Sequence, residues 1–574
     1  MPQDPNQVGA QTVPVPLVGG FYQSRSPIAN DIRCVNLYPE KNAEGAPTPY
    51  TDYLTPGLTL LRAAGSVNGP ASGQARPGGA YLASNSGLYI CIGSTLYFVD
   101  PTFRFFTLGN LTTSTGLVCM QDNGTDLIIV DGTTSAFSVS LATNLMIPYL
   151  AGSVDGATVA AGGSGGTNGA VVLTVVGGTV SDGDVATING TISGGALTAI
   201  GNVANGGTYA VFPTNPVAVT GGGLTGASVN LTTVTGFLGA DRVDYLDTFL
   251  LFNQPNTRNF YSTLSNVITI DPTYVASKTS YPDNIQTLMV VHREIWILGA
   301  QKATELWYDA GGTQFPFQIE PGVYIEQGCV AKASVARHDV EIYWLGINAD
   351  GKATVFLGAN YLANPISTFA IADEISKYSV ISDAIGMIYQ QLDHVFYVLT
   401  FPTANKTWVF DRTEKLWHER VWTDTQGTEN RIRPNFLIAA YGIIIAGDWE
   451  TGDLFQYDLN NNTDNGQPIV RTRGFPHYQN MAKRNSYSRF TLDMECGTAL
   501  DGDYTITMRY SYDKGKTWKA QQTQSLGAQG EYLVWPTWAG SQGLTRDMLY
   551  EVSWSSPVST ALNGAYVNVV PAAT

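Results

Sequence analysis

Ser511, Asp513, Gly515, Thr517 and Trp518 stand in the spacing S-x-D-x-G-x-T-W, directly after an alternating apolar stretch. In such a pattern the aspartate accepts turn amides, the glycine permits a positive φ and the tryptophan covers the hairpin. The chemistry of this Asp-box is therefore structural. Sialidases carry such boxes, but their hydrolysis needs three clustered arginines and a Tyr/Glu nucleophile pair. No arginine repeats at matching positions here. The five histidines (His292, His338, His394, His418 and His477) are far apart and form neither HxH nor HExxH. His394 follows Asp393 just before an apolar run, a turn position. Asp411, Glu414, Asp448 and Glu450 fall in turns and do not read as paired catalytic acids. No GxSxG elbow or GxxxxGK[ST] loop occurs, and the glycine run Gly162–Gly166 lacks a lysine. The expectation is no enzyme activity, no catalytic or metal residues and no cofactor.

Basic residues cluster late. Arg471, Arg473, Lys483, Arg484 and Arg489 lie close together, with His477, Tyr478 and Tyr487 among them. Such a patch suits a nucleic-acid contact or a docking face for an acidic partner. The net charge of −16 argues against ordinary nucleic-acid binding, which needs cations to displace phosphate counterions. It is compatible with a surface past which duplex DNA slides. Cys34, Cys91, Cys119, Cys329 and Cys496 form no CxxC pair and read as buried free thiols in a reducing cytoplasm. No apolar run reaches 18 residues, so no membrane helix is expected, and Met1–Pro5 shows no secretory signal.

The elements that would position these residues announce themselves by repetition. A short apolar strand, a turn and a second strand begin at Phe249, Ile295, Tyr343, Val395 and Ile443, separated by 46, 48, 52 and 48 residues. Two earlier copies start at Leu88 and Leu127. A period of that size with strands in each unit marks β-propeller blades. From Leu127 to Phe249 the spacing is 122 residues, so one loop carries an insertion. Residues 151–240 are rich in Gly, Ala, Thr and Val and hold only three charges, Asp155, Asp182 and Asp184. Strands are expected at 170–176, 185–188, 209–212, 217–220 and 228–234, with glycine turns between them. One or two helical turns fit Ile371–Val380. The end of the chain has alternating strands at 489–494, 504–510, 532–534 and 548–554, a β-sandwich pattern.

The fold class is all-β. It comprises a six- or seven-bladed propeller with a small inserted β domain and a C-terminal sandwich-like domain. The expected boundaries are an extended arm at 1–75, a discontinuous propeller at 76–153 and 236–462, a Gly-rich insertion at 154–235 and a final β domain at 463–574. The blade number is open because the arm can supply a closing strand.

The arm contains Val35, Asn36, Leu37, Tyr38, Pro39 and Glu40, then Leu54, Thr55, Pro56, Gly57 and Leu58. With the blade hairpin Thr407–Asp411 leading to Leu416 and Trp417, these segments resemble the tail-hub family of short-tailed bacteriophages, the packaged-DNA stabilisation proteins. The insertion departs from that plan and resembles Gly-rich modules of phage tail fibres. The resemblance implies a virion tail protein; no cofactor and no membrane partner are expected. It implies a ring of this chain, a homohexamer, under the portal and adaptor. That ring would extend the DNA channel, retain packaged DNA and carry fibres, spikes or a needle. The alternative is a virion adhesin or glycan hydrolase on a propeller, with Trp307, Trp344 and Trp449 as a candidate aromatic face.

Overall fold

A computed structural model describes residues 11–26, 31–149, 152–180, 184–312, 315–348, 350–480, 483–498 and 504–572. The remainder of the expected arm, 1–10 and 27–30, lies outside the described residues. Seven four-stranded antiparallel blades follow the repeats: 75–110, 119–148, 243–277, 285–319, 336–365, 385–419, and 434–458 completed by Gly57–Arg62; the first five are separate sheets and the last two are parts of larger ones. In the first blade every residue of Leu88–Ile92 is buried. Neighbouring blades cover both faces of such a strand, so it reads as a continuous apolar run with no alternation. Most blade junctions have a core of their own, while that between the fifth and sixth blades is continuous with the core of the C-terminal domain. Trp296, Leu298, Trp344 and Phe356 join the fourth and fifth blades. Ile90, Ile92, Phe436 and Ile445 join the first to the seventh and close the ring.

The closing strand comes from the arm. Gly57–Arg62 pairs antiparallel with Leu454–Asp458, with Gly57 opposite Asp458 and Leu58 opposite Tyr457. A Cβ on Gly57 would stand 2.3 Å from the Thr463 carbonyl oxygen and 2.4 Å from that of Asn461, so only glycine fits. The propeller therefore has seven blades, and its last is built from two distant parts of the chain.

The rest of the arm is laid into the C-terminal sandwich. One sheet runs Leu37–Lys41, Tyr50–Leu54, Leu562–Pro571, Asn485–Met494 and Thr537–Thr545, with Gln11–Val15 also on Leu562–Pro571. The facing sheet continues the sixth blade. Leu416–Glu419 pairs with Cys34–Val35, which pairs with Arg471–Gly474, followed by Asp547–Trp554, Thr505–Ser511 and Gln522–Ser525. Between the sheets Phe490 stacks on Tyr550 at 4.2 Å, among Met508, Trp538, Val552 and Val567. The 532–534 segment expected as a strand is a turn, because Val534 N–H donates to the Glu531 carbonyl. Leu533 there is 92% exposed.

Between the second and third blades an eight-stranded sheet spans Gly152 to Thr235 around its own core of Leu173, Ile188, Tyr209 and Val229. Its ends, Gly152 and Thr235, lie opposite each other on paired strands. The helix is Phe369–Ile375, capped by Thr368, whose hydroxyl accepts from the Ile371 amide at 3.3 Å. All five cysteines are buried and free.

Candidate functional site

The arm residues converge on one seam between propeller and sandwich. Asn36 takes a left-handed backbone, φ 54°, which asparagine tolerates well. Its Nδ2 donates to the Val421 carbonyl at 2.9 Å and the Val470 carbonyl at 2.8 Å, and its Oδ1 accepts from the Val421 amide at 2.9 Å. Its own carbonyl accepts from the Thr55 hydroxyl at 3.2 Å. One side chain thus ties the end of the sixth blade to the entry of the sandwich. Val35 and Leu37 are buried beside it. Tyr38 meets the rings of His394 and Phe396 at 5.3 and 5.5 Å. Glu40 Oε2 lies 3.4 Å from His394 Nε2, and His394 Nδ1 lies 2.6 Å from Asp411 Oδ2. The Asp411 hydrogen bond raises the His394 pKa above its usual value, with help from Glu40 and against burial. Pro56 lines a small void at the seam with Asn36, Thr55, Arg420 and Asp464.

Deeper in the seam, Arg473 Nε stands 2.9 Å from Asp52 Oδ2, with both side chains fully buried. Burial pushes the Asp52 pKa up to about 6 while Arg473 opposes it. Arg473 also donates to the Gly19 carbonyl at 2.7 Å. Arg471 is buried too and donates to the carbonyls of Ile469 at 3.3 Å and Ser556 at 3.2 Å. The basic cluster read from the sequence is therefore not one surface. Arg471 and Arg473 clamp the inside of the sandwich, while Lys483, Arg484 and Arg489 are exposed. Two residues apart on one strand, both face inward, where the Asp52 carboxylate meets Arg473 and the Ile469 and Ser556 carbonyls meet Arg471.

The Asp-box forms a closed turn. Asp513 Oδ1 accepts from the Ser511 hydroxyl at 2.7 Å and the Thr517 amide at 2.8 Å. Asp513 Oδ2 accepts from the Thr517 hydroxyl at 2.6 Å. These donors hold its pKa down at about 2. Gly515 has φ 83°, and Arg509 lies over the Trp518 ring at 4.5 Å.

Around the propeller axis, charged side chains bridge blades. Arg337 of the fifth blade donates to Asp244 Oδ1 and Oδ2 of the third at 3.0 and 2.9 Å, and to the Val290 carbonyl of the fourth at 2.6 Å. Lys332 reaches Asp241 at 2.7 Å. Among the described residues no group of three or more His, Cys, Asp or Glu is arranged to hold a metal. No helix of the described residues is long and apolar enough to cross a membrane.

Residues 156–463, more than half of the chain, match the family described as Bacteriophage P22 Gp10, beta-propeller. The chain belongs to this family. It is a bacteriophage structural β-propeller protein of the packaged-DNA stabilisation type. No curated protein sequence matches it. Among solved structures it is similar to the WD40 beta propeller domain of Doa1, at 9% identity and TM-score 0.35, covering 70% of this chain and 97% of that one. It is also similar to the N-terminal domain of Nup159, at 8% identity and TM-score 0.36, covering 74% of this chain and 98% of that one.

The family match takes in most of the insertion and blades three to seven, and leaves the arm and the sandwich outside it. The tryptophans considered for an adhesive face do not make one. Trp344 is fully buried with Nε1 donating to the Gly328 carbonyl, Trp307 is buried against Glu305, and Trp449 is stacked by Arg431 at 4.3 Å. Sequence reading missed a cleft of about 510 Å³ beside the helix, lined by Arg25, Lys352, Phe356, Phe369 and Asp373. Phe369 is 87% exposed there. Its signal was present only as a capped turn carrying an outward phenylalanine.

Proposed function

We propose that this protein forms the hub of a phage tail. Copies of it assemble as a ring, a homohexamer, below the portal and adaptor. The ring extends the DNA channel, retains packaged DNA and anchors distal fibres, spikes or a needle. The family membership is the observation that carries this reading. The seam supports it mechanically. A seven-bladed ring closed by the arm and fused through Asn36 to a sandwich is a stiff block with broad faces, suited to bearing load between tail parts.

The DNA path belongs to the ring of copies and not to the propeller's own axis. Arg337 and Asp244 hold the inner strands of three blades together there, whereas a duplex has a major groove alone about 12 Å wide. A net charge of −16 suits a wall that confines DNA without adhering to it. The exposed trio Lys483, Arg484 and Arg489 and the Phe369 cleft are the candidate docking surfaces for neighbouring virion proteins.

Cryo-electron microscopy of the mature particle tests this directly. A ring of this chain between the adaptor and the distal tail is expected. Density for it only at fibre tips, or none in the particle, would refute the proposal.

A further inference from the structure

We propose that Lys278 and Asp283 condense to an intramolecular isopeptide bond at the crossing from the third to the fourth blade. Lys278 directly follows the outer strand Ile270–Ser277, and Asp283 precedes the inner strand Ile285–Val291. Both side chains are buried, and Lys278 Nζ is paired with Asp283 Oδ1. The Tyr281 carbonyl accepts a second bond from Nζ at 3.1 Å and so fixes the direction of the amine.

The acid is equally prepared. Asp283 Oδ2 accepts from the backbone amides of Gln301 at 2.8 Å and Lys302 at 3.2 Å. Two preorganised amides on one oxygen are the arrangement that stabilises a tetrahedral oxyanion. A nucleophilic nitrogen therefore lies on one side of the carboxyl and an oxyanion site on the other. Glu305, also buried, pins the intervening loop by accepting from the amides of Thr279 at 2.7 Å and Ser280 at 2.5 Å.

The reaction balances within the pair. Condensation begins when the ammonium proton passes to Asp283 Oδ1, which gives the amine and the acid that react. Nζ attacks Cγ, and the negative charge gathers on Oδ2 between the Gln301 and Lys302 amides. Oδ1 departs as water, taking the proton it received and one from the nitrogen. The product is a neutral amide plus one water, with no oxidant, reductant or cofactor. Positioning of the kind seen here is what accelerates such a condensation. The amide would close the 278–283 loop at the blade crossing covalently, and its carbonyl oxygen would keep the hydrogen bonds from the Gln301 and Lys302 amides.

The test is mass spectrometry on the purified full-length chain after several days in the folded state. The expected intact mass is one water below the sequence mass. Trypsin should fail to cut after Lys278 and give the peptide from Asn259 to Arg293 lighter by one water, with no fragment ions between 278 and 283. Lys278→Arg, which keeps the charge pair but cannot condense, should have its full sequence mass. A wild-type chain of full mass that is cut after Lys278 would overturn the proposal and leave a buried ion pair. A water loss that persists in Lys278→Arg would also overturn it, since it would arise from another residue. The wild-type peptide decides the matter even if the variant does not fold.

Discussion

At the scale of single residues, Asn36 is the most consequential side chain of the arm. Replacing it with alanine orphans the Val421 amide, the Val421 carbonyl and the Val470 carbonyl. Each unmet buried group costs about 1–3 kcal/mol, so Asn36→Ala should lose at least about 3 kcal/mol, read as a lowered midpoint of thermal unfolding. An unchanged midpoint would mean that the knot is not structural. His394 gives a pH signature. Its pKa is raised in the fold by Asp411, so its stabilisation is complete below about pH 6.5 and fades as pH rises through the raised value. The gap in midpoint between wild type and His394→Gln should therefore narrow as pH rises from about 6.5. A gap that widens would contradict this pairing. The sequence showed the arm motif as a resemblance, but not its role, because the side-chain partners of Asn36 lie more than 380 residues away. Likewise the charges of Arg471 and Arg473 were visible while their burial was not, since Ser556 reaches Arg471, and Asp52 and Gly19 reach Arg473, only through the fold.

At the scale of elements, the closing strand should govern the ring. Gly57→Val places a side chain against two carbonyl oxygens and forces Gly57–Arg62 away from Leu454–Asp458. Overpacking of this kind costs about 1–3 kcal/mol, and limited proteolysis should then cut first within 434–458. Cleavage elsewhere at wild-type rates would show that closure does not depend on this strand. The inserted sheet should behave in the opposite way. It has its own core, and its ends at Gly152 and Thr235 are paired, so excising 153–234 with a short linker should leave the propeller folded with a near-native thermal midpoint. Aggregation of the excised chain would contradict this independence.

The elements legible in the sequence were those with dense apolar character. The inner hairpins of the blades were plain because they are buried on both faces. In the insertion, Gly152–Ser164 and Ala196–Asn205 escaped notice, being mostly Gly, Ala and polar residues with largely exposed side chains. Tyr532 and Leu533 read as strand by composition, but they lie in a turn that leaves both exposed.

At the scale of the whole molecule, the period of the repeats announced a propeller, yet the count of seven needed the arm's strand in place. The joining of sandwich to propeller through Cys34–Val35 was likewise beyond any local pattern, because two residues bridge two sheets distant in sequence. The result is a block in which the start of the chain locks both the propeller and its end. Such a block suits the proposed hub. The most direct measurement is to deplete the protein during phage growth and follow the heads by electron microscopy and DNA content. Heads that fill and then lose their DNA, with the distal tail missing, are the predicted result. Heads that stay full under a complete tail and fail only to adsorb would contradict a hub that seals the genome.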